Sequence, residues 1–240
     1  MCGRYAASRN PDDLVEEFEV ERVELRHPLE PDYNVAPTKP VPAVLTRRDR
    51  DAPVDSPPVR RLRVLRWGLV PSWAKDVRIG SRLINARVET AAEKPAFRKA
   101  LAARRCLLPA DGFYEWYAEE GRKQPYFIHR ADGHPLAMAG LYEVWRDPAL
   151  DPAEQEAWVW TCTVLTTEAV DEVGRIHDRM PLLVERAAWA SWLDPGATDP
   201  AAALALLAPP SPGELEAYPV STRVNNVAHN GAELLDPVPA

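Results

Sequence analysis

The chain has 240 residues, a formal net charge of -7, 46% hydrophobic and 27% charged residues, the composition of one water-soluble globular domain spanning 1–240. No apolar run approaches the roughly 20 residues of a membrane span, and the N-terminus, with Arg4 and Arg9 but no apolar stretch, is not a secretory signal. Cys2, Cys106 and Cys162 are few, far apart and odd in number, which argues against a disulfide framework and for a reducing, cytoplasmic setting; without Cys-x-x-Cys or paired histidines, no metal and no cofactor are expected.

Asn10 before Pro11-Asp12-Asp13 predicts a capped helix over 11–18, with Leu14 and Phe18 four apart. Residues 41–45 read as a strand, and 47–61, charged and with prolines at 53, 57 and 58, as an exposed loop. A strand over 62–67 leads into a Gly/Pro loop carrying Trp67 and Trp73, rings that either stack on unpaired bases or fill the core beneath the loop. An amphipathic helix is predicted over 95–105, with Phe97 and Leu101 inward and Arg98, Lys99 and Arg104 outward. A strand-like run holds 113–117, and strands at 125–129, 136–145 and 158–166 follow at hairpin spacing. A short helix over 168–174 ending at Gly174, helices over 186–193 and 199–207 and a strand near 217–224 complete the chain.

Charge is segregated along the sequence. Residues 57–105 hold 13 Lys/Arg against 3 Asp/Glu, a local +10 that leaves -17 elsewhere. Such a segment either binds a polyanion locally or forms ordinary solvated faces.

Chemistry concentrates at Met1-Cys2-Gly3-Arg4-Tyr5. Removal of Met1 makes Cys2 the first residue, with an α-amine of pKa about 7.7–8.0 and a thiol near 8.5. Amine attack on an aldehyde gives an imine, and thiol attack on the imine carbon closes a five-membered ring, a reaction closed to internal cysteines. The bland alternative is that Cys2 is merely a small residue that permits methionine removal. Asn85 and Arg87 project to one side if 85–87 is extended. Glu115, between Tyr114 and Trp116, has a raised pKa if it points inward and is simply solvated if outward. His177 follows the short helix on a charged loop, a proton carrier or an inert surface histidine.

Residues 1–5 (MCGRY), 33–37 (YNVAP), 67–73 (WGLVPSW), 85–90 (NARVET), 110–116 (ADGFYEW), 176–181 (IHDRMP) and 219–221 (PVS) together resemble the SOS-response-associated peptidase family over nearly the whole chain. The resemblance implies a single α+β domain with a largely antiparallel, barrel-like β core flanked by helices. It also implies an abasic-site sensor of single-stranded DNA that crosslinks Cys2 to the ring-opened aldehyde as a thiazolidine. Asn85 would orient the cysteine, Glu115 would shuttle protons and His177 would assist ring opening and reversal. Arg4 and Arg87 would hold phosphates, and Trp73 and Trp116 would pack against bases. A peptidase activity would be confined to N-terminal maturation, and a monomer suits a protein consumed by its own product. Two alternatives are a glutamine amidotransferase with an N-terminal cysteine, whose chains also begin Met-Cys-Gly, and a module that shields single strands without bonding to them.

Overall fold

Strand β1 (Tyr5–Ala7) is followed by helix α1 (Pro11–Glu17), whose cap is the Asn10 side chain accepting from the Asp13 N–H, as predicted. Then come β2 (Arg22–Glu24), β3 (Asp32–Val35), β4 (Pro40–Arg47), β5 (Val59–Trp67), β6 (Asn85–Arg87), α2 (Val88–Ala91) and α3 (Arg98–Ala103). The second half holds β7 (Arg105–Ala110), β8 (Gly112–Glu119), β9 (Arg122–Arg130), β10 (Leu136–Arg146), β11 (Trp158–Glu168), α4 (Asp171–Ile176), β12 (Arg179–Pro181), α5 (Trp189–Leu193), α6 (Pro200–Leu204) and β13 (Leu215–Pro219). This computed structural model describes residues 2–239 apart from 27, 50, 54 and 120; Met1, whose removal the sequence predicts, lies outside the described residues.

Strands β5, β4, β7, β10 and β11 pair in that order, each antiparallel to the next. The parallel pairs Thr161–Arg66 and Cys162–Trp67 then join β11 back to β5, closing a five-stranded barrel. A second sheet, ordered β13-β9-β8-β1-β3, lies beside it. The architecture is the mixed α+β, barrel-centred one expected. Both faces of β7 are covered, which explains why all six of its residues are buried. Cys106 and Leu108 join the barrel interior, while Leu107 packs outward among Leu101, Trp189 and Trp192. Among the described residues, no helix is long and apolar enough to cross a membrane.

Several local expectations change. The 47–61 loop is shorter, since β4 runs to Arg47 and β5 begins at Val59; residues 50 and 54 are outside the description. Arg61, expected in the loop, is buried on β5 and paired with Glu24 and Asp49. The helix expected to stop at Gly174 continues to Ile176. A Cβ at Gly174 would stand 3.2 Å from the Ala169 carbonyl oxygen, a tight contact. The last strand ends at Pro219, and 222–225 form a 3-10 turn.

Only part of the +10 segment becomes open basic surface. Arg60 pairs with Glu19, Arg61 and Arg63 with Glu24, Arg78 with Asp76 and Arg104 with Glu143. Arg105 is buried and donates to the carbonyls of Leu101, Ala102, Trp192, Asp194 and Ala197 at 2.6–2.9 Å, satisfying the ends of α3 and α5. Part of the linear excess of charge is thus engaged within the fold, while Lys75, Arg82, Arg87, Lys94, Arg98 and Lys99 are exposed.

Between β5 and β6 the chain turns at Gly68, whose φ is +123° and whose added Cβ would lie 2.5 Å from the Gly80 carbonyl oxygen. Neither the dihedral nor the contact admits a side chain. Gly68→Ala should therefore cost about 2 kcal/mol or more of stability. Urea denaturation checks it, and an unchanged midpoint at unchanged slope would show that the two backbones can separate freely.

Candidate active site

Cys2, Asn85, Glu115 and His177 come from four separate stretches and converge. Cys2 precedes β1 and is fully buried among the barrel core residues. Asn85 opens β6, which adds to β11 in parallel beside Val164, and its Nδ2 donates to the Cys2 carbonyl at 2.7 Å. Alternation along β6 buries Ala86 and turns Asn85 and Arg87 to the other side, Asn85 half-buried and Arg87 exposed.

Strand β8 settles the orientation that alternation left open. Both of its faces are covered here, because Phe113 joins the barrel cluster and Tyr114 a smaller cluster on the opposite side. Glu115 shares the face of Phe113 and is only 3% exposed. His177 caps the C-terminus of α4, its N–H bonding to the Val173 carbonyl at 2.9 Å, and its Nε2 stands 3.9 Å from Glu115 Oε2.

The environment moves these groups in useful directions. Burial raises Glu115 from the ordinary 4.5 to about 7, with the Asp178 charge acting in the same direction. Burial lowers His177, against the opposing pull of Asp178. Near neutrality the carboxyl thus holds a proton it can give, and the imidazole is free to take one. His177 Nδ1 faces two partners: the Arg179 N–H at 3.0 Å, which suits a neutral ring, and Asp178 Oδ1 at 2.8 Å, which suits a protonated one. Both protonation states are accommodated. The Cys2 thiol departs from expectation, because burial and the nearby Glu115 charge push it far above its ordinary range. It rests as a thiol.

A bidentate ion pair fixes the two loops against each other. Buried Arg179 donates to Glu89 Oε1 and Oε2 at 2.7 and 3.0 Å and to the Thr166 carbonyl at 2.6 Å. Glu89 lies four residues after Asn85 and Arg179 two after His177, so β6 and the His177 loop share one clamp.

Of the residues expected at DNA, Arg4 and Trp116 lie together. The Arg4 guanidinium carbon is 5.8 Å from the Trp116 ring centroid. The two loop tryptophans divide: Trp67 is buried edge-on to Tyr5 at 5.0 Å, whereas Trp73 is 57% exposed. Arg87 is exposed and makes no side-chain hydrogen bond or ion pair among the described residues. Sequence reasoning missed Asn34, Asp178 and Asn225, which hold Arg4, His177 and Trp116 respectively. Asn34 lay within a recognised motif, but nothing in its spacing signalled a partner near residue 224. Among the described residues no group of three or more His, Cys, Asp or Glu could hold a metal ion.

The sequence profile of the family described as SOS response associated peptidase (SRAP) matches residues 1–227. The chain is 39% identical over 237 residues to the abasic site processing protein YoqW of Bacillus subtilis, covering 98% of this chain and 99% of the relative. It is 35% identical to the abasic site processing protein YedK of Escherichia coli, covering 99% and 100%. To the abasic site processing protein HMCES of Xenopus tropicalis it is 31% identical, covering 98% of this chain and 78% of the relative. A crystal structure of a Bacteroides thetaiotaomicron protein shares the fold with a TM-score of 0.82, covering 99% of this chain and 100% of that one at 24% identity.

Glu115 carries a stability signature. Because its value in the folded state is raised, its contribution to stability is complete below about 4.5 and is lost as pH rises through about 7. A rise of that size corresponds to a penalty on the order of 3 kcal/mol at alkaline pH. Glu115→Gln should therefore be more stable than wild type at pH 8 and lose that advantage on titration to pH 4.5. Denaturation curves across that range test it, and a variant less stable at pH 8 than at pH 4.5, relative to wild type, would contradict a desolvated carboxyl.

Proposed function

This chain belongs to the SOS response associated peptidase family, and from that membership and the four converging side chains we propose that it captures abasic sites in single-stranded DNA as a covalent adduct of Cys2. The observation that carries this reading is a near-neutral carboxyl, Glu115, buried beside a cysteine one residue from the chain's start. The relatives named as abasic site processing proteins, matched over almost the whole chain, supply the substrate class.

Loss of Met1 frees the Cys2 amine. An abasic deoxyribose must first open: His177 takes the proton of the C1′ hydroxyl as the C1′–O4′ bond breaks, and O4′ is protonated in return. The amine adds to the C1′ aldehyde to give a carbinolamine. Glu115 gives its proton to the departing hydroxyl, water leaves and a protonated imine remains. The thiol then adds to the imine carbon and its proton passes to the Glu115 carboxylate, closing the thiazolidine. The net change is aminothiol plus aldehyde to thiazolidine plus water.

The buried, protonated state of the thiol fixes the order of steps. A neutral thiol is a poor nucleophile towards an aldehyde but adequate towards a protonated imine with a base alongside. Asn85 holds the Cys2 carbonyl, and its Oδ1, which has no hydrogen-bond partner among the described residues, accepts from the freed amine. Arg87 and Arg4 take phosphates, while Trp116 and Trp73 pack against bases flanking the lesion. Peptidase chemistry is confined to maturation of the protein's own N-terminus.

Two experiments test the reading. Incubated with a single-stranded oligonucleotide carrying one abasic site, the active protein should give a complex that survives denaturing electrophoresis without reductant. Intact mass spectrometry should show the protein without Met1 plus the oligonucleotide minus one water. Cys2→Ser should lose most of the reductant-independent product while remaining trappable by borohydride. Equal crosslinking by Cys2→Ala would end the proposal. Separately, Arg87→Ala should flatten the log–log salt dependence of single-strand binding by about 0.7, one phosphate's worth; an unaltered slope would place the strand elsewhere.

A further inference from the structure

The side chains assigned above to DNA are aimed by others. Arg4 Nη1 donates to Asn34 Oδ1 and to the Val224 carbonyl, at 2.7 Å each. The Trp116 indole N–H donates to Asn225 Oδ1 at 2.7 Å. Asn34 is fully buried, and its Nδ2 donates to the carbonyls of Val224, Asn226 and His229 at 3.2, 3.1 and 2.9 Å. One amide therefore grips Arg4 with its oxygen and the 224–229 backbone with its nitrogen.

The grip continues outward. Asn230 accepts from the Tyr33 N–H at 2.7 Å and donates to the Pro31 carbonyl at 3.1 Å. The Tyr218 hydroxyl donates to the Leu235 carbonyl at 2.8 Å, and Leu234 is buried with Ala6 and Tyr114. His229, Asn230, Leu234 and Leu235 lie beyond residue 227, where the family match ends.

We propose that Asn34 is a positioning residue for DNA and that residues 222–230 are its lever, together holding Arg4 and Trp116 ready for a backbone phosphate and its neighbouring base. The proposal rests on the reading of Arg4 as a phosphate contact. An arginine that must be ordered on binding loses side-chain freedom at that moment, and prior fixing removes this cost. The partner has to be neutral. A carboxylate at position 34 would neutralise the guanidinium and set charged oxygen against three carbonyl oxygens, whereas the amide orients Arg4 and leaves its charge intact. Among the described residues no carboxylate stands within ion-pair distance of Arg4, and its Nε is buried without a hydrogen-bond partner.

The test is non-covalent binding of a lesion-free single-stranded oligonucleotide, read by fluorescence anisotropy across a salt series. Arg4→Ala should flatten the log–log slope by about 0.7. Asn34→Ala should flatten it equally, and the double variant no further, a coupling that a merely structural role would not produce. A folded Asn34→Ala with the wild-type slope, or a double variant in which the losses add, overturns the proposal. If Asn34→Ala does not melt cooperatively, Asn230→Ala serves instead, releasing Pro31 and Tyr33 while leaving the Asn34 amide in place. It should give a partial flattening that disappears in the Arg4→Ala background, and no change at all would overturn the lever. An unaltered slope in Arg4→Ala would instead remove the phosphate assignment beneath the proposal, an outcome distinguishable because failure of positioning alone leaves Arg4→Ala responsive.

Discussion

Strand β11 is the constraint to which the site is referred. Its antiparallel pairing with β10 runs from Trp158 to Val164. On its other edge it holds β5 at Thr161 and Cys162, then β6 at Val164–Thr166, while β12 joins at Thr166–Glu168 on the edge that β10 has left. The barrel is thus closed by β5 only as far as Trp67, where Gly68 turns the chain away with its N–H on the Cys162 carbonyl at 2.8 Å. Strand β6 replaces β5 on the same edge. That substitution places Asn85 at the barrel's end, and β12 brings His177 beside it. A chain that closed the barrel with one uninterrupted strand would have no room for either.

The site is stabilised around a group that does not favour folding when ionised. A carboxylate enclosed by protein loses hydration, so Glu115 is retained at the expense of stability at alkaline pH. Near the site, Arg179 binds Glu89 with two hydrogen bonds and the Thr166 carbonyl with a third. The pair is half-open to water on the Glu89 side, which limits what its Coulombic attraction contributes to stability. Its value is geometric. It sets the loop after α4, which carries His177, against the segment that opens with Asn85.

Motifs and local capping were legible in the sequence; the environment of each motif was not. The Asn10 cap and the inward pair Leu14/Phe18 depend on contacts within a few residues, and both stand as read. Glu115 could not be oriented, because alternation separates faces but says nothing when both are covered, as at Phe113 and Tyr114. Trp67 and Trp73 look equivalent in sequence and differ because only Trp67 is on the strand that closes the barrel. Arg61 appeared to belong to an exposed loop; pairing of β2 with β5 brought Glu24 to it across 37 positions. Gly174 signalled a helix end because glycine usually caps, whereas here the helix continues to Ile176.

Three arginines differ in the type of partner they meet. Arg61 meets the carboxylates of Glu24 and Asp49, so its charge is cancelled within the fold. Arg105 spends Nε, Nη1 and Nη2 on five backbone carbonyls, leaving little for any incoming group. Arg4 uses Nη1 alone, on two neutral acceptors, and remains a charged group with donors to spare. All three lie wholly or partly out of water, and for each the desolvation cost must be offset by something. For Arg61 and Arg105 the offset is already present in the folded chain. For Arg4 it is only partly so, and the deficit is what an anion would make good. The three residues are alike in the sequence as Arg; their hydrogen-bond partners tell them apart.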